Sequence, residues 1–251
     1  MDERLENEIA HGKYLIDHDP GEVWNWETPA GKERWARRAE MLTHLLAAGT
    51  KVLEIGCGTG YFSKEIVRTG ADITAIDISP DLLSVAAKKI TANNIVFQVE
   101  NAYAMSFANN SFDFIIGSSV LHHLDVKQAL LEFRRTLKPG GTLRFTEPNM
   151  LNPQIALQKN IPFIKKRMGE SPDETAFFRW SLKKHLEEAG FVDISIHPFD
   201  FLHPQIPKDL IKYLLTVCSF LERTPILSEF AGSLYIEARK KGKESSSKNR
   251  D

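Results

Sequence analysis

Short apolar runs alternate with amphipathic stretches between residues 50 and 147. Runs with β-branched members predict buried strands near 51–55, 72–76, 95–99, 112–116 and 141–146. Helical spacing of apolar residues predicts helices near 61–69, 80–92 and 126–137. Strands that alternate with helices in this way favour an α/β, doubly wound fold, with a mostly parallel sheet covered by helices on both faces.

The segments on either side of this core follow a different pattern. Residues 1–49 predict an N-terminal helical cap, with an amphipathic helix from about Lys32 to Ala48. Residues 148–239 contain proline-rich insertions, helices near 182–189 and 209–221, and strands near 193–197 and 233–238. The polar, serine-rich residues 240–251 predict a disordered tail. We therefore expect one domain, with seven strands and two helical insertions.

A glycine loop follows the first strand. Residues 52–60 read Val-Leu-Glu-Ile-Gly-Cys-Gly-Thr-Gly, and a helical pattern begins directly after them. Glycine permits positive φ angles and lacks the Cβ that would keep a ligand away from the backbone. The glycines Gly56, Gly58 and Gly60 form G-x-G-x-G, whereas dinucleotide-binding loops use G-x-G-x-x-G. The spacing thus favours a nucleoside ligand other than NAD(P) and disfavours an oxidoreductase.

Two acidic residues narrow the choice of ligand. Glu54 lies at the end of the first strand, where a carboxylate repels a diphosphate and suits an amine. Asp77 ends the second strand about twenty residues later, the position from which a carboxylate accepts hydrogen bonds from ribose hydroxyls. A ribose, a cationic amino-acid end and no diphosphate describe S-adenosylmethionine.

These motifs together resemble those of the class I S-adenosylmethionine-dependent methyltransferases. The resemblance rests on the glycine loop with Glu54, on Asp77, on Phe112-Asp-Phe-Ile-Ile and on Leu137-Lys-Pro-Gly-Gly. It is nearest to the small-molecule and lipid branch, which includes quinone-biosynthesis methyltransferases. The resemblance implies a Rossmann-like sheet whose last two strands pair antiparallel, and helical insertions that form a cap over the acceptor.

The resemblance also implies a set of cofactor-binding residues at the ends of successive strands. These are Glu54, Gly56, Cys57, Gly58, Gly60, Asp77, Ile78, Asn101, Ala102 and Ser118. Cys57 is also interpreted as a small packing residue. Asn101 stands where the family more often has Asp, and it could instead be an ordinary turn residue. Ser118 could instead be a helix cap.

The pair His122-His123 is the candidate catalytic pair, since the resembled family places this part of the chain beside the transferred methyl group. A histidine could remove a proton from the acceptor; the alternative is that both side chains pack or cap. A related quinone branch has metal-binding carboxylates where this chain has Ser119 and His122, so we expect no metal. Glu147 and Asn149 either line the acceptor site or form a polar turn.

Composition excludes several classes of protein. The 251 residues have a net charge of −1, so the chain lacks the overall basic character that would suggest a nucleic-acid partner. The two cysteines, Cys57 and Cys218, indicate neither a disulfide framework nor a zinc cluster. The acidic N-terminus does not resemble a signal peptide, and no apolar run is long enough to span a membrane. We expect a cytoplasmic protein, either a monomer or a homodimer.

The insertions suggest the chemistry of the acceptor. The apolar helix at 209–221 and the basic and apolar residues 159–167 favour a small or lipid-like acceptor, and peripheral membrane contact is compatible with them. The alternative is that the helix packs on the domain or forms a dimer contact. We expect O-methylation first, with N- or C-methylation as alternatives. A non-catalytic module that binds S-adenosylmethionine is the competing class of function.

Overall fold

The computed structural model describes residues 3–17, 21, 24–167, 171 and 173–242. Within them, the strands form one sheet in the order β3-β2-β1-β4-β5-β7-β6, and only β7 runs antiparallel to its neighbours. The strands are β1 (Lys51–Ile55), β2 (Asp72–Asp77), β3 (Ile95–Val99), β4 (Phe112–Ser118), β5 (Leu137–Pro148), β6 (Phe191–Phe199) and β7 (Ser233–Lys240). The predicted seven-stranded, mostly parallel sheet is confirmed, as is the antiparallel pairing of its last two strands.

Helices connect these strands and cover the sheet. They are α1 (Glu3–Asp17), α2 (Pro29–Thr43), α3 (Ser63–Val67), α4 (Pro80–Lys89), α5 (Val126–Thr136), α6 (Pro153–Asn160), α7 (Pro162–Arg167), α8 (Arg179–Glu188) and α9 (Lys208–Arg223). Two 3-10 turns, Leu121–His123 and Ser228–Phe230, complete the described elements. None of the described helices combines the length and apolar character that crossing a membrane requires.

The sheet buries both of its faces. On one face, Leu53 and Ile115 share a core with Phe133 of α5 and Leu182 of α8. On the other face, residues that include Val52, Ile73 and Ile116 pack with Leu42 of α2 and Ile66 of α3. Successive residues of a strand point to opposite faces, so one β1 strand supplies both cores. The predicted doubly wound arrangement is confirmed.

Most predicted boundaries agree with the structure to within a few residues. Ser79 begins α4 as predicted, because its side chain accepts a hydrogen bond from the Leu82 amide and Pro80 follows it. The predicted start of the fifth strand at residue 141 is wrong. Leu137 already pairs with Phe112, ahead of an irregularity in the register between β4 and β5. The helix predicted from Lys32 to Ala48 instead ends at Thr43.

Both insertions leave the sheet at the edge that carries the glycine loop. β6 runs parallel to β1, since β7 is antiparallel to both β5 and β6. Residues 149–178 follow the carboxyl end of β5, and residues 200–232 follow the carboxyl end of β6. This is the edge at which open α/β sheets bind ligands. In the predicted disordered tail, Lys240 belongs to β7, and residues from 243 onward lie outside the described residues.

The packing of α5 generates a first prediction. Phe133 is fully buried and its ring stacks on Phe145 of β5, with 5.8 Å between the ring centroids. Phe133→Ala should lower the free energy of unfolding by about 3–5 kcal/mol, because the cavity it leaves can collapse only in part. Chemical denaturation measures the change. Leu131→Ala, on the exposed side of the same helix, should change it by less than about 0.5 kcal/mol; equal effects would contradict the assigned packing.

Candidate active site

The glycine loop between β1 and α3 presents bare backbone at one position. Gly56, Gly58 and Gly60 all have positive φ angles, of 62°, 53° and 84°. A Cβ at Gly56 would lie 2.4 Å from a methyl of Val120, and one at Gly60 would lie 2.7 Å from Ile90 Cδ1. At Gly58 a Cβ would meet nothing within 4 Å. Two glycines therefore allow close packing, whereas Gly58 leaves its backbone open to a ligand.

Asp77 at the end of β2 holds this loop in place. Its Oδ2 accepts a hydrogen bond from the Gly58 amide and its Oδ1 accepts one from the Ser79 amide, both at 2.9 Å. Burial raises the pKa of Asp77, although the two amide hydrogen bonds oppose that effect. A carboxylate has about four acceptor positions, so capacity remains for two hydroxyl groups. The residue fits the predicted contact with ribose.

Glu54 lies behind the loop. Its side chain is buried and accepts a 2.6 Å hydrogen bond from Ser63 Oγ at the start of α3. Burial raises the pKa of Glu54 to about 7, against the effect of the Ser63 hydrogen bond. In this position Glu54 ties β1 to the helix that follows the loop. It orients the loop, and the predicted contact with a ligand amine stays a prediction.

The loop opens into a pocket formed mainly by the ends of β1 to β4 and by α1. Seven of the predicted site residues line it: Gly56, Gly58, Asp77, Ile78, Asn101, Ala102 and His123. Ser119, Val120 and residues of α1 complete much of the remaining wall. A second depression, wider and more open, borders Asp125 and Lys127 and contains none of these strand-end residues. We therefore assign the pocket at the strand ends as the candidate site.

Five predicted site residues lie outside the pocket lining, namely Glu54, Cys57, Gly60, Ser118 and His122. The Cys57 amide donates a hydrogen bond to the Ile76 carbonyl. Burial raises the pKa of the Cys57 thiol well above the usual value, which suits the interpretation of Cys57 as a packing residue. Ser118 Oγ lies 2.8 Å from Thr146 Oγ1. The next residue, Ser119, reaches the pocket with a φ of 54°. Direct cofactor contacts of the five stay predictions.

His122 belongs to a buried polar turn held by Glu147. The Glu147 carboxylate accepts hydrogen bonds from the amides of Val120 and Leu121, and its Oε2 lies 2.7 Å from His122 Nδ1. Burial lowers the pKa of His122 well below its ordinary value, and the charges of His123 and Lys159 act in the same direction. Burial also raises the pKa of Glu147 to about 7. The pair fixes the turn that carries His123.

Asn149, the other polar residue noted at the end of β5, does not reach the pocket lining. Its side-chain amide donates hydrogen bonds to the carbonyls of Glu229 and Ala231, both at 2.8 Å. It thereby joins the first insertion to the end of the second. Of the two interpretations of Glu147 and Asn149, the structure supports the polar turn.

His123 faces the pocket and contacts α1. Its Nδ1 lies 2.8 Å from Glu8 Oε2, and Glu8 also accepts a hydrogen bond from Ser171 Oγ at 2.8 Å. Burial alone would lower the pKa of His123, but the contact with Glu8 and the charges of Glu8, Glu174 and Glu147 outweigh it and raise this pKa. A neutral imidazole has one ring nitrogen that can accept a proton. His123 is therefore the better placed member of the pair.

Glu174 joins the first insertion to the same cluster. Lys159 Nζ lies 2.8 Å from its Oε2, and the Ser171 amide donates to its Oε1 at 2.7 Å. Burial alone would raise the pKa of Glu174, but the charges of His123, His122 and Lys159 lower it to about 2. Ligand atoms of His122, His123 and Glu174 lie within 4.8 Å of one another, as in a metal site. Lys159 already supplies a cation there, and the expectation of no metal stays a prediction.

Sequence reasoning did not find Glu8, His11, Ser119 or Glu174. The sequence predicts residues 1–49 as a helical cap, but the prediction places no helix at residues 3–17, although Leu5, Gly12 and Leu15 recur at helical spacing and all three line the pocket. That periodicity was the available signal for α1. Glu174 gives no local signal, since it comes to the site through the fold of a proline-rich insertion.

Comparisons with known proteins agree with this geometry. Residues 53–145 match the family model described as "Methyltransferase domain". A demethylmenaquinone methyltransferase of Staphylococcus aureus strain JH9 is 31% identical over 175 residues, which span 60% of this chain and 71% of that protein. The chain belongs to the S-adenosylmethionine-dependent methyltransferases. S-adenosylmethionine is accordingly its cofactor, and the open backbone of Gly58 and the free acceptor positions of Asp77 fit a nucleoside of that kind.

Solved structures of methyltransferases share the fold. A phosphoethanolamine N-methyltransferase 2 of Haemonchus contortus, in complex with S-adenosyl-L-methionine, superposes with a TM-score of 0.63 at 16% identity; the match covers 92% of this chain and 60% of that one. A possible histamine N-methyltransferase of Thermotoga maritima gives a TM-score of 0.64 at 17% identity, covering 92% and 97%. At such identities the likeness shows the Rossmann-like methyltransferase fold alone.

The position of Asp77 generates a second prediction. Asp77→Ala should weaken binding of S-adenosylhomocysteine by roughly 100-fold, about 2.7 kcal/mol, because it removes the acceptor for ribose and releases the Gly58 amide. Equilibrium dialysis with labelled ligand measures the affinity. Asp72→Ala, at the exposed start of the same strand, is the matched control and should bind as the wild type does. Unchanged affinity in Asp77→Ala would contradict the assigned site.

Proposed function

We propose that this methyltransferase acts on a small, lipid-like acceptor with an acidic hydroxyl group, such as a phenol or a prenylated hydroquinone. The similarity to a demethylmenaquinone methyltransferase supports this class of acceptor. The two insertions at the pocket edge, rich in apolar residues, support it independently. A cytoplasmic location and the absence of a nucleic-acid acceptor also stay predictions.

The observation that carries the proposal is the meeting of three features in one pocket. The bare backbone of Gly58, the carboxylate of Asp77 and the imidazole of His123 all line it. The first two suit a nucleoside, and the third is a histidine, a side chain often used as a general base. A pocket that combines them supports proton removal beside a bound nucleoside.

The reaction needs positioning and the removal of a proton more than covalent chemistry by the protein. S-adenosylmethionine supplies the electrophilic methyl group when it is bound. His123 is placed to take the hydroxyl proton of the acceptor at Nε2, while Glu8 holds Nδ1. His122 and Glu147 fix the turn beneath it. Helix α1 contributes Leu5 and Leu15 to the pocket wall, which gives that wall an apolar character.

Removal of this proton activates two positions of the acceptor. It raises the nucleophilicity of the oxygen itself and, in a phenol, that of the ring carbon beside it. We keep O-methylation as the first choice. C-methylation is the second candidate, because a carbon acceptor on a quinol ring would use the same base. N-methylation follows, since an amine that arrives neutral needs no base of this kind.

The proposal is tested by transfer from methyl-labelled S-adenosylmethionine to a set of acceptors. The set comprises a prenylated hydroquinone, a simple phenol, an aliphatic amine and transfer RNA, each with and without a metal chelator. Label should enter the hydroquinone and the phenol, unaffected by the chelator, and mass spectrometry of the product distinguishes O- from C-methylation. Binding of S-adenosylhomocysteine without transfer to any acceptor would favour the non-catalytic module.

Replacing His123 tests its assigned role. His123→Ala should lower kcat for the phenolic acceptor by roughly 10²–10⁴-fold, the usual contribution of a general base. S-adenosylhomocysteine affinity should change little, because Asp77 and the loop remain. His197→Ala, an exposed histidine on β6, is the matched control. If His123→Ala kept the wild-type rate, proximity of the reactants alone would account for catalysis.

The contact between Glu8 and His123 gives a pH prediction. The base must be neutral, so the rate should fall as the pH drops below the pKa of His123, which lies above the ordinary value for histidine. Glu8→Gln removes the contact that raises this pKa, and the acid side of the kcat/KM profile should move to lower pH. Glu6→Gln, on the exposed side of α1, should leave the profile unchanged. A profile that does not move in Glu8→Gln would contradict the assignment.

A further inference from the structure

Exposed apolar side chains concentrate at the edge of the sheet that holds the pocket. Among the described residues, the large apolar side chains exposed on the two insertions are Leu157, Ile161, Phe163, Phe178, Leu210, Tyr213, Leu215, Val217, Phe220, Ile226, Leu227 and Phe230. Both insertions follow carboxyl ends of strands, as the glycine loop does. A contiguous apolar surface at a binding edge marks an interaction site more often than a random scatter does.

Helix α9 shows the pattern most clearly because it has two apolar faces. Ile211 and Cys218 are buried against α2 and the segment that precedes α9. Leu210, Tyr213, Val217 and Phe220 recur at helical spacing on another face and are 50%, 70%, 50% and 66% exposed. A helix that only packs on its own domain needs one apolar stripe. In the described part of the chain, no other element covers this second stripe.

A basic face lies beside this exposed stripe. Lys208, Lys212 and Arg223 are exposed there, together with the acid Asp209. The Glu222 carboxylate accepts two hydrogen bonds from the Arg37 guanidinium, at 2.7 and 2.6 Å, and a third from the Asp200 amide, so its charge is already paired. Three cations and one exposed acid leave a local charge of +2, whereas the whole chain has −1. Aromatic and aliphatic residues on one side with Lys and Arg on the other are typical of helices that lie in a membrane interface.

We propose that α9 docks on a phospholipid bilayer that carries anionic headgroups. Phe220, Tyr213 and Val217 enter the interface between headgroups and acyl chains, while Lys208 and Lys212 contact the headgroups. α9 belongs to an insertion that leaves the sheet at the edge carrying the glycine loop, so docking would bring this edge to the bilayer in which a lipid acceptor resides. The choice of a lipid acceptor rests on the proposed function; the docking itself does not.

Charge favours the bilayer over a second copy of this chain. In a symmetric dimer, the same surface patch of each copy forms the interface. The patch around α9 carries the exposed cations Lys208, Lys212 and Arg223 and one exposed acid, so two such patches would bring like charge together. An anionic lipid surface instead attracts each such cation, by about 1 kcal/mol.

The test is sedimentation of the full chain with vesicles of phosphatidylcholine alone or mixed with phosphatidylglycerol. Wild type should bind the mixed vesicles and release in high salt. The double variant Tyr213→Ser, Phe220→Ser should bind at least about tenfold more weakly. The double variant Lys208→Glu, Lys212→Glu should lose about 25-fold or more, from two headgroup contacts. Leu131→Ser with Val96→Ser removes exposed apolar residues elsewhere and should bind as the wild type does.

Three outcomes would overturn the docking surface. They are no binding to either vesicle, equal binding by all variants, or a wild-type dimer in light scattering that the Tyr213 and Phe220 changes dissociate. Methyl transfer to a phenol dissolved in water separates this proposal from the proposed function. If transfer persists while vesicle binding fails, only the docking is wrong; if vesicles bind while transfer fails, only the acceptor chemistry is wrong.

Discussion

The carboxylate of Asp77 is the constraint on which the site depends. It lies at the end of β2, partly buried, and accepts hydrogen bonds from the amides of Gly58 and Ser79. The Asp77 carboxylate therefore holds both the glycine loop after β1 and the start of α4 in position. Hydrogen bonds to a charged group contribute about 1.5–3 kcal/mol each, enough to hold a loop whose glycines all adopt positive φ angles. Without it, the bare backbone at Gly58 would have no defined position.

A second polar cluster joins three distant segments around the reacting centre. Glu8 comes from α1, Glu174 and Lys159 from the first insertion, and His123 from the turn after β4. Removing one member of such a buried set leaves another charge without compensation, which costs about 3–5 kcal/mol. Helix α1, the first insertion and the turn Leu121–His123 are thereby coupled. The covering helix α1 and the candidate base are parts of one arrangement.

Local pattern was sufficient to predict the core, and tertiary packing decided the rest. Buried strands of β-branched residues, the Ser79-Pro80 start and the spacing of Gly56 and Gly58 each act within a few residues, so the sequence alone reveals them. His122 and His123 are adjacent and chemically identical, and only the 3-10 turn and Glu147 determine which one faces the pocket. Ser118 and Ser119 are likewise adjacent and chemically identical, and the sequence alone does not tell which of them faces the pocket. The exposed stripe of α9 was recognised as apolar, but its exposure follows from the contacts of Ile211 and Cys218.

The central claim is that the loop ordered by Asp77 selects a sulfonium nucleoside and excludes a dinucleotide. Calorimetric titration of the wild-type chain with S-adenosylhomocysteine and, separately, with NAD tests it most directly. We expect S-adenosylhomocysteine to bind with a Kd in the micromolar range or lower, which is a binding free energy of about −8 kcal/mol or more negative. NAD should give no heat of binding. Binding of NAD, or a flat titration with S-adenosylhomocysteine, would contradict it.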